Sequence, residues 1–326
     1  MHNVAVRTGL VFAERDTGPL VLDLYLPPLD GASGAPPVVV WLHGGGWFTG
    51  DRHLAPDLRR YFASSGIAMA SIEYRLSGHA LFPAQLHDVR AAVRYLRRNA
   101  ARLGIDGGAV GLWGSSAGGH LAALAGVTGH LASLPGEPDT GPEPDASVSA
   151  VAEGYGPVDL IGAEESGIPI PGMTGADCPE ARLLGGPPSQ LTDRARAASP
   201  LSFVTAAAPP FQIVHGTEDA VIRPGQSALL HRALAAAGVE STLYLIDGFG
   251  HGFLNPPSVS EFPGPSNTGP ESPPRSTFLQ EGRLEREPEP PAVCHRTAPG
   301  QAPSSEQAAF SYDVVGDFFR RHLLAR

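Results

Sequence analysis

Short apolar runs and longer amphipathic stretches alternate along most of the chain. Residues 20–26 alternate between apolar and polar positions as a strand does, and residues 36–42 and 67–74 read as two further, buried strands. Residues 83–103 instead carry apolar side chains at helical spacing, which predicts a long amphipathic helix with its arginines in solvent. The pattern predicts an α/β fold, in which a twisted sheet that begins antiparallel and continues parallel is covered by helices on both faces.

Two segments interrupt this alternation. Residues 157–208 lie between two predicted core strands, are rich in Pro, Gly and Ala, and are predicted to form a small cap. Residues 255–305 are richer in Pro, Ser and Glu and show little strand or helix periodicity, so we interpret them as a late Pro-rich insertion. Helical spacing resumes over residues 307–324, which predicts a terminal amphipathic helix. A lid over the site and a solvated loop are both open interpretations of the insertion, whose apolar residues are Phe262, Phe278 and Leu279.

Length and charge narrow the class of protein. The chain has 326 residues, 42% of them hydrophobic, and its candidate chemistry spans residues 43 to 251, so we predict one catalytic domain over residues 1–326. The net charge of −10, without a basic stripe, disfavours nucleic acid and anionic membranes as partners and favours a small neutral substrate. No apolar stretch approaches membrane-span length. The first residues lack the basic start and apolar run of a signal peptide, which predicts a cytoplasmic protein, or a secreted one if a leader has been removed.

The residue types exclude several kinds of chemistry. All 23 Lys and Arg residues are arginines. The lack of lysine excludes a serine–lysine hydrolase, a pyridoxal phosphate Schiff base and a Walker-type phosphate loop. Cys178 and Cys294 belong to no Cys-x-x-Cys or metal-ligand pattern, and geometry has to decide whether they form a bridge. We therefore expect an enzyme that uses neither a metal nor a cofactor.

The sequence Gly-Ser-Ser-Ala-Gly at residues 114–118 is the most informative motif. Residues 108–113 form a short, β-prone apolar run and residues 119–125 are rich in helix formers, so Ser116 falls on a sharp turn between a strand and a helix. Glycines two residues to either side permit the strained backbone of such a turn, from which the hydroxyl projects at the sheet edge. Ser116 is therefore the predicted nucleophile.

A glycine-rich loop follows an earlier predicted strand. Residues 43–47 read His-Gly-Gly-Gly-Trp and come directly after the strand at 36–42. Bare glycine amides can approach a substrate carbonyl and hydrogen-bond its oxygen as the oxygen becomes negative. The residue after the nucleophile supplies a further donor in such sites. The predicted oxyanion hole consists of the backbone N–H groups of Gly44, Gly45 and Ala117.

An acid and a histidine follow the serine in the chain. Asp219 lies on the loop beyond a strand at 210–214, and His251 lies on a glycine-flanked loop beyond a strand at 242–246. His251 is the predicted general base, and Asp219 is predicted to fix its tautomer and stabilise its charged form. Asp247 is the rival acid, but a residue four positions before His251 on the same loop is less able to reach the far ring nitrogen.

These motifs resemble those of α/β-hydrolase esterases of the hormone-sensitive-lipase-like group that carries the His-Gly-Gly-Gly-Trp oxyanion motif. The matching segments cover most of the chain and are residues 43–47, 73–77, 82–85 with Asp88, 113–123, 215–219 and 250–252. Much of that group has Asp before the nucleophile and Asn after the second glycine pair. Here Ser115 and His120 stand at those positions, which looks more like bacterial esterases that remove acetyl or feruloyl groups from plant polysaccharides. The resemblance implies an α/β-hydrolase fold and a serine carboxylesterase that hydrolyses short-chain acyl or aryl-acyl esters through a Ser116 acyl-enzyme.

Two other functions fit the same motifs. An arylformamidase or another amidase resembles the chain in its oxyanion loop and elbow, and a silent hydrolase fold used as a binding module is the alternative from another class. Trp47 and Tyr155 are candidate substrate-contacting aromatics, although a Trp beside a glycine loop is as often a packing anchor. Residues 73–75 follow a predicted strand and are expected to support the oxyanion loop by hydrogen bonds.

Overall fold

The structure, a computed structural model, describes most of the chain. The described residues are 4–28, 34–138, 145–161, 177–257, 261 and 279–324. Phe262 and Phe278, two of the apolar residues on which the lid interpretation depends, lie outside them.

One sheet runs through the described residues. Its strands are β1 Ala5–Arg15, β2 Gly18–Leu26, β3 Pro37–Leu42, β4 Ala68–Ile72, β5 Asp106–Ser115, β6 Ala150–Gly154, β7 Phe211–Gly216, β8 Ser241–Ile246, β9 Pro291–Thr297 and β10 Ser304–Ala309. Their order in the sheet is β1-β2-β4-β3-β5-β6-β7-β8-β9-β10. The first two pairs are antiparallel, the pairs from β4 to β8 are parallel, and the last two pairs are antiparallel. The antiparallel start and parallel centre are as predicted.

Helices cover both faces of this sheet. Within the described residues they are α1 Leu58–Tyr61, α2 Ala84–Arg98, α3 Ala100–Leu103, α4 Ala117–Thr128, α5 Pro179–Leu184, α6 Thr192–Ala197, α7 Gly225–Ala236, α8 Arg283–Arg286 and α9 Tyr312–Leu324. Short 3₁₀ turns occupy Ala63–Ser65 and Pro200–Phe203. The long amphipathic helix predicted within residues 83–103 is present as α2, followed directly by α3. The expectation that its arginines lie in solvent is wrong for Arg90 and Arg94, which are buried and pair with Glu137.

The central strands are buried on both faces, which explains their continuous apolar sequence. Alternate residues of β3 divide between two apolar clusters because successive side chains in a strand point to opposite faces. Val38, Val40 and Leu42 pack in the cluster that contains α2 and α4, whereas Val39 and Trp41 pack in the cluster that contains α9. Burial of one such side chain contributes about 1.5–3 kcal/mol to stability. The core therefore fixes the carboxyl ends of the strands, where the candidate site residues lie.

The expectation that residues 255–305 contain little regular structure is wrong for their last third. β9 pairs with β8, and β10 then pairs with β9 as the edge strand. Only one face of β9 is buried, and β10 is almost wholly exposed, so neither strand presents the apolar run of the central strands. The terminal helix begins at Tyr312 rather than at 307, because Ser304–Ala309 belongs to the edge strand.

The cap segment and the two cysteines can also be located in the structure. The predicted cap contributes α5, α6 and the turn at Pro200–Phe203, and its residues 162–176 lie outside the described part. Cys178 and Cys294 are both free, so no bridge joins them. In the part of the chain that the structure describes, no helix has the length and apolarity needed to cross a bilayer, and no cluster of His, Cys, Asp and Glu could hold a metal ion.

Candidate active site

Ser116 lies at the junction of β5 and α4, on the turn that the sequence predicts. Its backbone has φ +54° and ψ −122°, a conformation that is strained for a residue with a side chain. Its N–H donates to the Gly154 carbonyl at 2.7 Å, and its carbonyl accepts from the His120 N–H at 2.9 Å. A Cβ atom on Gly118 would lie 2.0 Å from the Leu42 carbonyl oxygen, so only glycine lets the start of α4 approach the end of β3 so closely.

The glycine-rich loop begins where β3 ends. Gly45 has φ +104°, and a Cβ there would lie 2.3 Å from the Thr49 carbonyl oxygen. The Gly45 carbonyl accepts hydrogen bonds from the N–H groups of Phe48 and Thr49, at 3.1 and 3.0 Å, which closes the turn. The Gly45 N–H donates to the Glu261 carboxylate at 2.9 Å. One of the three predicted oxyanion donors thus already binds a negatively charged oxygen.

Tyr74 supports the glycine-rich loop through its hydroxyl and its ring. Its hydroxyl donates to the His43 carbonyl at 2.8 Å, and its ring stacks on the His43 imidazole with 4.2 Å between centroids. Burial lowers the pKa of His43 to about 4, so the ring is neutral and its Nδ1–H donates to the Gly44 carbonyl at 2.7 Å. The expected support of the loop by residues 73–75 is confirmed for Tyr74.

Ser116, His251 and Asp219 form one hydrogen-bonded row. His251 Nε2 lies 2.9 Å from Ser116 Oγ, and His251 Nδ1 lies 2.7 Å from Asp219 Oδ2. Asp219 Oδ1 accepts the backbone N–H groups of Val221 and Ile222, each at 2.9 Å, which fixes the carboxylate plane. The row is enclosed, with exposed fractions of 3% for Ser116, 0% for His251 and 4% for Asp219.

Asp247, the rival acid, is not part of this row. Its side chain is exposed, and its backbone N–H donates to the Pro291 carbonyl at 3.1 Å, where β9 passes β8. The structure therefore brings Asp219, and not Asp247, to the Nδ1 atom of His251.

Glu261 is a second carboxylate at His251, and the sequence gives no indication of it. Its side chain is fully buried, with Oε1 3.8 Å from His251 Nε2 and Oε2 accepting from Asn255 Nδ2 at 2.7 Å. Glu261 and Asn255 both lie in the Pro-rich stretch without periodicity, so no pattern distinguishes them from solvated residues.

The two carboxylates determine the charge of His251. Burial favours the neutral imidazole, but the charges of Asp219 and Glu261 and their hydrogen bonds outweigh it and raise the pKa of His251 to about 10. Although burial opposes it, the nearby His251 and His215 hold the pKa of Asp219 well below its usual range. With Glu261 in place, His251 is thus a cation between two anions.

Trp47 and Tyr155 contact the protein's own histidines. Trp47 Nε1–H donates to His120 Nδ1 at 3.2 Å, and the ring meets His120 edge to face. His120 Nε2–H donates in turn to the Ala198 carbonyl at 2.7 Å, which joins the loop to the cap segment. Tyr155 packs 4.9 Å from the His251 ring centroid, and its hydroxyl accepts the Leu254 N–H at 3.1 Å. The position of Trp47 is that of the packing anchor named as the alternative above.

The sheet, the elbow after β5 and the row of site residues define an α/β-hydrolase, and comparison with solved structures agrees. A structure described as a truncated form of a carbohydrate esterase from gut microbiota is 31% identical, with a TM-score of 0.67 over 77% of this chain and 90% of that one. The propionate-bound structure of esterase Est2 from Thermogutta terrifontis is 26% identical, with a TM-score of 0.60 over 78% of this chain and 86% of that one.

The chain belongs to the BD-FAE family, which it matches over residues 22–234. This match includes Ser116 and Asp219. Among curated proteins it is similar to esterase LipC of Mycobacterium tuberculosis, with 33% identity over 67% of this chain and 53% of LipC. Esterase LipQ of the same organism is 32% identical over 69% of this chain and 52% of LipQ. The chain spans about half the length of these relatives.

Proposed function

We propose that the protein is a serine carboxylesterase that hydrolyses short-chain acyl esters through an acyl-enzyme on Ser116. The observation that carries the proposal is the continuous row from Ser116 Oγ through His251 to Asp219, at a strained turn beside a glycine-rich loop. Membership of the BD-FAE family and similarity to named esterases support the reaction class.

The direction of proton transfer follows from the hydrogen-bond partners. Asp219 can only accept, so the proton between it and His251 belongs to Nδ1, and Nε2 of neutral His251 is free to accept from the Ser116 hydroxyl. In the proposed mechanism His251 removes this proton as Ser116 Oγ attacks the ester carbonyl carbon, and Asp219 stabilises the imidazolium that forms. The proton then passes to the leaving alkoxide, and a water molecule repeats the sequence on the acyl-enzyme.

The developing negative charge requires donors beside Ser116. The N–H groups of Gly44, Gly45 and Ala117 are proposed for this role, because they belong to the loop after β3 and to the first residue after the nucleophile. The contact between Gly45 N–H and the Glu261 carboxylate supports the assignment for Gly45, since an anionic oxygen there resembles an oxyanion in charge.

A small acyl group fits the enclosed setting of Ser116. The Tyr155 ring packs 4.9 Å from the His251 ring centroid, and the Thermogutta terrifontis relative is described with propionate bound. The description of the gut relative as a carbohydrate esterase favours acyl groups carried on a sugar hydroxyl. We therefore propose acetyl to butyryl esters as the substrate class.

A panel of p-nitrophenyl esters from acetyl to decanoyl tests the proposal, with Ser116→Ala as the matched inactive variant. We expect kcat/KM to be highest for the short chains and hydrolysis by the variant to fall to background. N-formylkynurenine in the same assay distinguishes an amidase, and failure of both substrate classes together with no fluorophosphonate labelling would leave a binding module. A preference for the decanoyl ester would contradict the proposed substrate class.

A further inference from the structure

Beside Asp219, at the carboxylate oxygen that His251 also contacts, lies a chain of buried polar side chains that the proposed mechanism does not use. His215 Nε2 lies 3.3 Å from Asp219 Oδ2, and His215 Nδ1 lies 2.8 Å from Ser227 Oγ. Ser227 Oγ lies 3.3 Å from Glu153 Oε2. His215 and Ser227 are fully buried and Glu153 is 1% exposed, so these groups have no solvent as an alternative partner.

Regular elements bring the three side chains together. Glu153 of β6 is opposite Ile213 of the parallel strand β7, and His215 lies two residues further along β7 on the same face. Ser227 comes from the first turn of α7, and its neighbour Gln226 accepts the N–H groups of Val158 and Asp159 at 2.8 and 2.9 Å. The helix end that carries Ser227 is therefore fixed against the sheet.

The available hydrogens determine the charge of this cluster. His215 Nε2 must carry a proton, because its neighbours, the Asp219 carboxylate and the Ile222 carbonyl at 2.8 Å, only accept. Ser227 has a single hydroxyl proton to serve both His215 Nδ1 and Glu153. With Glu153 ionised and His215 neutral, one of these two buried contacts would lack a hydrogen. One extra proton, on Glu153 or on His215 Nδ1, satisfies both.

We propose that Glu153, Ser227 and His215 form a proton-holding relay that positions Asp219 and sets how strongly it supports His251. When the extra proton is on Glu153, His215 is neutral and the Asp219 charge acts mainly on His251. When Glu153 passes this proton to Ser227 and Ser227 passes its own to His215 Nδ1, a cation faces Asp219 and the support of His251 weakens. His215 is thus a positioning residue, and no bond other than O–H and N–H changes.

Of the titratable groups around Glu153, His215 is the one with which Glu153 can exchange a proton. His120 approaches from α4 and Tyr155 follows Glu153 in the chain, but burial lowers the pKa of His120 to about 4 and raises that of Tyr155, so both are neutral near pH 7. Asp219, His251 and Glu261 lie beyond the relay. Burial raises the pKa of Glu153 itself to about 7, which agrees with a retained proton.

Two substitutions and one matched control test the relay. Glu153→Gln keeps a donor to Ser227 but cannot ionise, and Ser227→Ala breaks the connection. The control is Ser241→Ala, because Ser241 is equally buried and pairs with His231 Nδ1 at 2.9 Å, remote from Asp219. The readout is the pH dependence of kcat/KM for p-nitrophenyl acetate, with KM and the thermal unfolding temperature measured alongside.

We expect the apparent pKa of the acid limb to fall by about 0.5 or more in Glu153→Gln, because the wild type gains a negative charge beside Asp219 as pH rises and this variant does not. Ser227→Ala keeps an ionisable Glu153 but lacks the hydroxyl that links it to His215, so its shift should be smaller. KM should stay within about twofold, since the relay does not touch substrate. Ser241→Ala should lose unfolding temperature as Ser227→Ala does, with no shift of the limb. A wild-type limb in Glu153→Gln, or an equal shift in the control, would overturn the relay.

This inference rests on the proposed function only for its kinetic readout. The proton shared by His251 Nδ1 and Asp219 gives a downfield ¹H NMR resonance that can be followed without substrate. We expect this resonance to titrate near pH 7 in the wild type and to lose that step in Glu153→Gln. An absent step in the wild type contradicts the relay even if esters are hydrolysed, whereas a present step without hydrolysis contradicts only the proposed function.

The opposite side of His251 carries a second, independent observation. Glu261 Oε1 accepts the Gly45 N–H at 2.9 Å. A Cβ atom on Gly44 would lie only 2.4 Å from this oxygen, so the carboxylate packs directly against the glycine-rich loop. An ester carbonyl oxygen that uses the Gly45 donor must occupy the same space. We infer that Glu261 is self-inhibitory, because its carboxylate and the substrate compete for one donor.

The rate of covalent labelling tests this competition. Glu261→Ala and Asn255→Ala, which removes the donor to Glu261 Oε2, should each raise the second-order rate of fluorophosphonate labelling by about 10-fold or more, and acetate should inhibit Glu261→Ala more strongly than the wild type. Glu287→Ala is the control, because Glu287 lies in the same region but pairs with Arg283. Rates at or below wild type in both test variants would overturn the inference. Labelling of the wild type at Ser116, even if slow, would support Ser116 as the nucleophile whatever the rates of the variants. The test of Glu261 can therefore fail while the proposed function stands.

Discussion

The two ring nitrogens of His251 face regions that are built in different ways. On the Nδ1 side, Asp219 is held by two backbone N–H groups and by His215, and behind it stand residues from two paired strands and a helix end. Each polar atom there has a partner that the fold fixes. Asp219 therefore needs no rearrangement to stabilise the imidazolium.

On the Nε2 side, the Ser116 backbone is strained and a protein carboxylate binds a donor that the substrate would need. Ser116 has a positive φ, and the Glu261 carboxylate occupies the neighbouring donor of Gly45. Strain of this kind costs about 1–3 kcal/mol and persists only where the surrounding structure enforces it. The difference indicates that orientation of the base is built into the fold, whereas access to the nucleophile is where this protein can be regulated.

Removal of the nucleophile should have the largest effect. Ser116→Ala eliminates the oxygen that is proposed to attack the ester, so we expect kcat to fall by about 10⁶-fold, with a residual rate from the proposed oxyanion donors and substrate binding. Ser115→Ala is the matched control, because the Ser115 hydroxyl donates to Asn255 Oδ1 at 3.2 Å, whereas the Ser116 hydroxyl lies 2.9 Å from His251 Nε2. Wild-type hydrolysis by Ser116→Ala would show that the nucleophile lies elsewhere.

Loss of the acid should come next. Asp219→Asn retains the shape but not the charge beside His251 Nδ1, and favours the wrong tautomer, so kcat should fall by about 10⁴-fold. Asp247→Asn is the paired variant and should remain within about threefold of the wild type, since its side chain is exposed. Stopped-flow or steady-state hydrolysis of p-nitrophenyl acetate measures both. Equal losses would remove the distinction between the two acids.

The sequence predicts the central sheet and the row well because both depend on local signals. The apolar runs of β3 and β5, the glycines around Ser116 and the chain order of Asp219 and His251 each leave a short-range pattern. β9 and β10 leave a weaker one, because an edge pair with one buried face or none carries little apolar periodicity.

Glu153, Ser227 and Glu261 could not be predicted for a different reason. Their roles arise from contacts between residues far apart in the chain, such as Ser227 with Glu153, 74 positions apart, and Glu261 with Gly45, 216 positions apart. A buried carboxylate has the same letter in the sequence as a solvated one. Only the register of β6 on β7 and the position of α7 turn Glu153 into a partner of His215.

Glu153 should also make stability depend on pH. The pKa of Glu153 rises from its usual 4.5 to about 7 in the folded protein, so between these values the native state binds a proton that the unfolded state does not. Its contribution to stability is complete below pH 4.5 and is lost as pH rises through 7, by about 3 kcal/mol. The free energy of unfolding of Glu153→Gln relative to wild type should therefore improve by that amount from pH 4.5 to pH 8.

Urea unfolding at both pH values measures this change. Glu137→Gln is a control whose difference from wild type should stay nearly constant between these pH values: Arg90 and Arg94 outweigh burial and lower the pKa of Glu137 to about 2, so its contribution is already nearly complete at pH 4.5. A pH-independent difference between Glu153→Gln and wild type would mean that Glu153 does not retain a proton.

The smallest expected effect concerns Trp47, the last residue of the glycine-rich loop. Like the residues beside Asp219, it is fixed by a buried hydrogen bond, in this case to His120. Trp47→Phe removes the donor to His120 Nδ1 and should lower the free energy of unfolding by about 1 kcal/mol. Trp41→Phe is the control, because Trp41 Nε1–H donates to the Leu54 carbonyl at 2.9 Å inside the core and should cost a similar amount. If Trp47 is a packing anchor, KM for phenyl esters stays within about twofold of wild type in both variants, because neither ring touches substrate. A rise in KM confined to Trp47→Phe, without loss of stability, would instead make Trp47 a substrate-contacting residue. The substrate site on the Nε2 side of His251 would then extend from Gly45 to the end of the glycine-rich loop.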